Sequence, residues 1–175
     1  MVLPTINLAG MVRDSIVDGP GIRTVFFAQG CYHNCEGCHN PETHSFGKGY
    51  YYTIDQLVEV AKRNKLGKGI TFSGGEPFEQ SEAFAILAKR LRSEKYELAA
   101  YTGYLFEELT SDDDKEFLKE LDILIDGKFM IDRRNLDLSF RGSDNQRIID
   151  VQKSLATGKV VLTDQERWIN PRMAY

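Results

Sequence analysis

The stretch RTVFFAQGCYHNCEGCHN (Arg23–Asn40) changes character halfway along. Its first part, Arg23–Gln29, is a short β-branched and aromatic run of the kind that forms a buried strand, and Gly30 closes it. Its second part holds all three cysteines of the chain, Cys31, Cys35 and Cys38. A buried strand running straight into a loop of thiols sets the frame for the rest of the chain.

Working outward, the same alternation repeats. Thr53 to Lys65 reads as a helix, with Thr53 and Gln56 placed as a capping box and Ile54, Leu57, Val58 and Ala61 on one face. Gly69–Ser73 reads as a second strand and Ser81 opens a second helix through Ala83, Phe84, Leu87, Ala88 and Leu91. Glu97–Thr102 is a third strand. Phe106 to Leu121 is a helical stretch with a break expected at the acidic run Asp112–Asp114. Asp122–Asp126 is a fourth strand, and Arg147–Val151 and Lys159–Leu162 are weaker strand candidates. No internal repeat is visible.

Strands and helices alternating at this spacing predict an α/β fold, a parallel sheet with helical crossovers on its outside. The unusual residues all follow strands: the cysteine loop after the first, SGGEP (Ser73–Pro77) after the second, YTGY (Tyr101–Tyr104) at the third and DGKF (Asp126–Phe129) at the fourth. In parallel sheets the loops at the carboxyl ends converge on one edge, where active sites form. The four stretches are therefore expected to line one cleft.

Three closely spaced thiols can occupy three corners of an iron–sulfur cluster, leaving one iron with an exchangeable position. A structural Cys3His zinc site, with His39 as fourth ligand, is the alternative, and three unrelated free cysteines a third reading. His33 and His39 are read as groups supporting the ligands rather than as ligands. Gly74 and Gly75 allow a backbone path that a Cβ would forbid, either as an ordinary strand-to-helix turn or as a holder for the amino and carboxylate groups of an amino-acid-like ligand. DGPGIR (Asp18–Arg23) reads as a tight turn, with Arg23 a surface cation. Asp126 and Lys128 are either a salt-bridged rim pair or, given their place at a strand's carboxyl end, a ligand-carboxylate partner (Lys128) beside an orienting carboxylate (Asp126).

Composition narrows the class. With 175 residues, 42% hydrophobic and 27% charged, the chain is globular and suits a single domain, residues 1–175. A net charge of −4 gives no general attraction to phosphate backbones, so no nucleic-acid partner is expected. The N-terminal MVLPTINLAGMVRD (Met1–Asp14) has no basic residue before its apolar part and makes a poor signal peptide. No segment approaches the ~18 apolar residues of a membrane span. A cytoplasmic protein, with thiols kept for metal or redox chemistry, is the expectation. The tail ERWINPRMAY (Glu166–Tyr175) is expected to pack on the domain, with Trp168 exposed or half-buried; a partner contact is the weaker reading.

Taken together, DGPGIRTVFFAQGCYHNCEGCHN (Asp18–Asn40) and SGGEP resemble the radical S-adenosylmethionine enzymes of the glycyl-radical activating group, whose cluster motif is CxxxCxxC. CYHNC, YTGY and especially RGSDNQRIIDV (Arg141–Val151) are similar to the branch that activates anaerobic ribonucleoside-triphosphate reductase, and the likeness spans Val12 to Val151. The resemblance implies a partial (β/α) barrel of the radical S-adenosylmethionine type, trimmed to this length and open on one side. It implies that Cys31, Cys35 and Cys38 ligate a 4Fe-4S cluster, that Gly74, Gly75 and Glu76 contact the methionine part of S-adenosyl-L-methionine, and that Asp126 and Lys128 match a DxK element meeting the same cofactor. Its implied reaction is reductive cleavage to a 5'-deoxyadenosyl radical that takes a Cα hydrogen from a glycine of the reductase large subunit. The electron would come from a low-potential donor such as flavodoxin. The chain departs from the wider pattern at Gly37, where most such enzymes carry an aromatic residue, and at Tyr101, where some activases have an aspartate. It also lacks the cysteines for extra ferredoxin-like clusters. An activase of another glycyl-radical enzyme, a radical enzyme acting on a small molecule, and a zinc-stabilised binding module without catalysis remain the rival readings.

Overall fold

The computed structural model describes residues 2–170. Seven strands form one sheet in the order β3-β1-β2-β4-β5-β6-β7. They are β1 (Ile6–Ser15), β2 (Arg23–Ala28), β3 (Tyr50–Tyr52), β4 (Gly69–Gly74), β5 (Glu97–Tyr101), β6 (Ile123–Asp126) and β7 (Arg147–Asp150). The central four, β2, β4, β5 and β6, are parallel, with Arg23 opposite Gly69 and Gly69 opposite Glu97. The expectation of a wholly parallel sheet is corrected at both margins. β1 runs antiparallel to β2 and β3, and β7 antiparallel to β6. The result is an α/β fold on a mixed sheet whose outer strands are β3 and β7, with no closure between them among the described residues.

The helices are α1 (Ile54–Arg63), α2 (Ser81–Ser93), α3 (Asp112–Lys119), α4 (Val151–Thr157) and the single turn α5 (Glu166–Ile169). At α1 the capping box forms as its sequence demands: the Thr53 hydroxyl accepts from Gln56 N at 3.2 Å, and Gln56 Oε1 accepts from Thr53 N at 2.8 Å. The expected long helix from Phe106 is instead a 3-10 turn, Phe106–Glu108, followed by α3. The acidic run does not break this helix but opens it. Ser111 caps Asp114 N at 3.1 Å, and three carboxylates then sit at the positive end of the helix dipole. Lys159–Leu162 contributes only one bridge, Ile149 to Leu162.

Both sheet faces are covered, which is why the central strands read as unbroken apolar runs. On one face α1, α2 and α3 pack through Leu57, Phe84, Leu87 and Phe117, with Phe72 between Phe84 and Phe117 at 5.3 and 5.6 Å. Alternate residues Ala99, Ile123 and Ile125 point to the other face, against Ile148 and Trp168. Trp168 is fully buried, so the tail packs on the sheet as far as residue 170; residues 171–175 lie outside the described residues.

Arg23 is not a surface cation. It is 1% exposed at the amino end of β2, donating from Nε to Thr71 Oγ1 at 2.8 Å, from Nη1 to Glu97 Oε1 at 2.8 Å and from Nη2 to Ile70 O at 3.0 Å. Trp168 stacks over its guanidinium at 5.2 Å. Burial lowers its pKa to about 10.

Candidate functional site

Because β2, β4, β5 and β6 are parallel, their following loops meet at one edge, as the sequence predicts. One cleft there is lined by Cys31, Cys35, Cys38, Gly74, Gly75, Thr102, Gly103, Gly127, Phe129 and Gln146. The cysteine loop is pinned at its base by Gly30 N to Thr43 O at 2.6 Å and Cys31 N to His44 O at 3.1 Å. Between the cysteines it turns through left-handed backbone at Asn34 and Gly37. The place an aromatic residue would take at Gly37 is filled by Ile131, whose Cδ1 would stand 2.7 Å from an added Cβ.

All three thiols are half-buried and unpaired with one another. Burial pushes the Cys31 and Cys35 thiols up, and at Cys35 the Lys128 charge partly offsets it. Among the described residues, no three His, Cys, Asp or Glu side chains gather tightly enough for one metal ion. His39, the fourth ligand of the zinc reading, packs edge-on against Phe129 at 5.1 Å. Three thiols lining one cleft suit a multi-iron cluster, in which each ligated iron takes its own thiolate.

The glycine turn is built by backbone meeting backbone. An added Cβ on Gly74, whose φ is +98°, would lie 2.4 Å from Ala28 N, and one on Gly75 would lie 2.5 Å from Gly30 O. Gly75 N and Glu76 N continue the ladder to Ala28 O and Gly30 O, both at 2.8 Å. Glu76 is fully buried. Its carboxylate accepts from Phe78 N at 3.1 Å, Thr102 Oγ1 at 2.8 Å, Gly103 N at 2.8 Å and His33 Nε2 at 2.6 Å. Four donors saturate a carboxylate. The Glu76 side chain therefore joins three loops beneath the cleft, and a contact from this residue to a ligand would have to come from its backbone.

Asp126 and Lys128 are not a pair. Asp126 is fully buried, accepts from Phe106 N at 2.8 Å, and is held by Arg147 through Nε at 3.0 Å and Nη2 at 2.5 Å. That pairing, then Glu107, holds the Arg147 proton more firmly than usual. Lys128 is exposed, and its carbonyl accepts from Asn145 Nδ2 at 2.8 Å.

The far wall of the cleft is the 127–146 loop, in which the sequence singles out Lys128 by itself and the stretch from Arg141 onward only as a block. Gln146 Oε1 accepts from Gly142 N at 2.9 Å and its Nε2 donates to Gly127 O at 3.0 Å, closing the loop on itself. The Tyr101 hydroxyl donates to Phe140 O at 2.7 Å, tying this loop to the end of β5, and burial pushes its pKa up. Gln146 and Thr102 carry no local signal of a site role; both are polar residues beside strand ends.

The sequence also matches known proteins. The family model described as a 4Fe-4S single cluster domain matches residues 17–149. The anaerobic ribonucleoside-triphosphate reductase-activating protein of Vibrio cholerae is 35% identical over 76% of this chain and 90% of its own. The proteins of that name from Enterobacteria phage T4 (36%, over 75% of this chain and 86% of its own) and Escherichia coli K12 (34%, over 75% and 90%) are similarly close. A likeness to the crystal structure of QueE from Escherichia coli, at TM-score 0.44 and 15% identity over 57% of this chain and 52% of that one, is too slight to speak to the fold. Among the described residues no helix is long and apolar enough to cross a membrane. On the strength of the cluster-domain match across most of its length, and of the shared sequence with these relatives, the chain belongs to the family of anaerobic ribonucleoside-triphosphate reductase-activating proteins.

Proposed function

We propose that this chain, acting in the cytoplasm as one radical S-adenosylmethionine domain with the trimmed barrel architecture of that class, installs the glycyl radical of an anaerobic ribonucleoside-triphosphate reductase. The observation that carries the reading is that three thiols and the Gly74–Gly75 turn, distant in sequence, line the same cleft. Cys31, Cys35 and Cys38 would hold a 4Fe-4S cluster, which supplies the electron that cleaves S-adenosylmethionine and so the 5'-deoxyadenosyl radical that takes hydrogen from the reductase glycine.

The chain's own residues position and shield. Main-chain groups of Gly74 and Gly75 would meet the amino acid part of S-adenosylmethionine, and Lys128, exposed beside Cys35, would face its carboxylate. Asp126 serves indirectly, fixing the strand end from which Lys128 projects. Phe129 and Ile131 wall the thiols on the side of the 127–146 loop, limiting water. Lining one cleft with both the thiols and the glycine turn would spare the two bound groups a diffusional encounter. The partners are the reductase large subunit and a low-potential donor such as flavodoxin.

Anaerobic reconstitution with iron and sulfide, followed by reductant, S-adenosylmethionine and the reductase, tests this. The expected result is a brown protein, release of methionine and 5'-deoxyadenosine, and a glycyl radical signal on the large subunit. A colourless protein holding one zinc ion would overturn it in favour of a binding module. Cofactor cleavage without a radical on the reductase would favour another substrate.

A further inference from the structure

Resting on the function proposed above, the geometry points to His33 as a positioning residue that sets the spacing between the cysteine loop and the S-adenosylmethionine-binding turn, acting through Glu76. The two segments are already tied at their base, where Glu76 N meets Gly30 O at 2.8 Å. That bond lies at the base of the cysteine loop, before its first thiol, and does not itself fix the stretch between Cys31 and Cys35 against the turn. His33, between Cys31 and Cys35, supplies the missing strut: its Nε2 reaches Glu76 Oε2 at 2.6 Å, with the imidazole 7% and the carboxylate 0% exposed.

Three further observations show that this contact is built rather than incidental. Glu76 is itself immobilised by Phe78 N, Thr102 Oγ1 and Gly103 N, so it offers a fixed anchor. Tyr104 meets the imidazole edge-on at 4.4 Å. On another side Gly103 makes room for the ring: an added Cβ there would fall 2.4 Å from His33 Cδ2. The TGY segment, Thr102 to Tyr104, thus supplies one donor to the anchor by side chain, one by backbone, a gap for the imidazole and a wall for it. Every residue of that segment is accounted for by holding His33 and Glu76 together.

The chemical reason is register. A ligand that must touch a metal corner with one end and a backbone turn with the other tolerates little error in their separation, on the order of 0.5 Å. Thiolates alone fix the cluster to the cysteine loop but not the loop to the turn. The strut does the second task, so its loss should weaken the binding of S-adenosylmethionine while leaving cluster assembly in place.

The test separates those two properties on the anaerobically reconstituted full chain. Iron and sulfide are assayed chemically; S-adenosylmethionine is titrated against the EPR spectrum of the reduced cluster. His33→Ala is expected to hold wild-type iron and to bind S-adenosylmethionine about 10- to 100-fold more weakly, the usual range for groups supporting a metal site. His33→Gln, whose amide nitrogen can stand near the place of Nε2, should recover most of the loss. Wild-type affinity and an unchanged spectral response in His33→Ala would overturn the inference, as would loss of the cluster itself in both variants. Should His33→Ala fail to fold, Thr102→Val decides: it removes another donor from the same carboxylate without touching the cysteine loop, and unaltered affinity there would count against the strut. Absence of a cluster from the wild-type protein would instead sink the proposed function, and this inference with it.

Discussion

The same four parallel strands begin and end in opposite ways. At their amino edge, Arg23, Thr71, Glu97 and Trp168 make a sealed plug in which every guanidinium nitrogen has a partner. At their carboxyl edge the residues are glycines and half-buried thiols around an open cleft. The contrast separates two tasks. At the amino edge the buried ion pair closes the sheet off, whereas at the carboxyl edge the buried Glu76 and Asp126 sit beneath loops that hold half-buried thiols at fixed positions.

The largest expected effect lies on the cleft side. Cys35→Ala should abolish both iron content and cofactor cleavage, while thermal unfolding of the metal-free protein stays near wild type; an alanine variant that still cleaves S-adenosylmethionine under strict anaerobiosis would break the comparison and the assignment together. Next comes the plug. Arg23→Met leaves Thr71 Oγ1 and Ile70 O without their donors and should cost about 3 kcal/mol in denaturant unfolding, with cofactor affinity per folded molecule unchanged. A loss of affinity without a loss of stability would show that the two edges are not separate.

Gly74→Ala sharpens the boundary. This glycine lines the cleft, yet its nearest atoms belong to β2, so the substitution should lower stability by about 2 kcal/mol as well as weaken cofactor binding. A purely functional loss would mean that the turn is shaped for ligand alone. The smallest effect is a pH dependence. Burial raises the Cys31 and Cys35 thiols, and a thiol must lose its proton to ligate iron. Cluster uptake should therefore release protons and strengthen as pH rises, and because burial lifts these thiols it should go on strengthening from about 8.5, the ordinary thiol value, upward. An iron-binding isotherm that does not move above that pH would contradict the burial argument.

The sheet's centre was legible because its strands are buried on both faces and bounded by glycines, as at GITFSGG (Gly69–Gly75). Its margins were not. β1 is the longest strand, but two register shifts, at Leu8/Gly10 and Val12/Ser15, destroy the alternation that would announce it. β3 is three tyrosines at the border of the sheet. Strand direction is equally hidden: nothing within RIID (Arg147–Asp150) says that it turns back on β6. The cysteines and glycines of the site declared themselves through local spacing. Arg23, Asp126 and Glu76 did not, because each meaning depends on a partner far along the chain: Glu97, Arg147 and His33. Local patterns reveal which segments carry chemistry; only folding reveals which charges are already spoken for.

The 127–146 loop has an evolutionary consequence. The sheet ends when β7 reverses on β6, so one side of the reaction chamber is made of irregular chain fastened by Gln146, Asn145 and a bridge from Arg134 to Ser143. Irregular chain diverges more freely than strands, since altering it disturbs no ladder. A change in this insert would reshape one wall of the cleft while leaving the thiol loop and the sheet that carries it untouched.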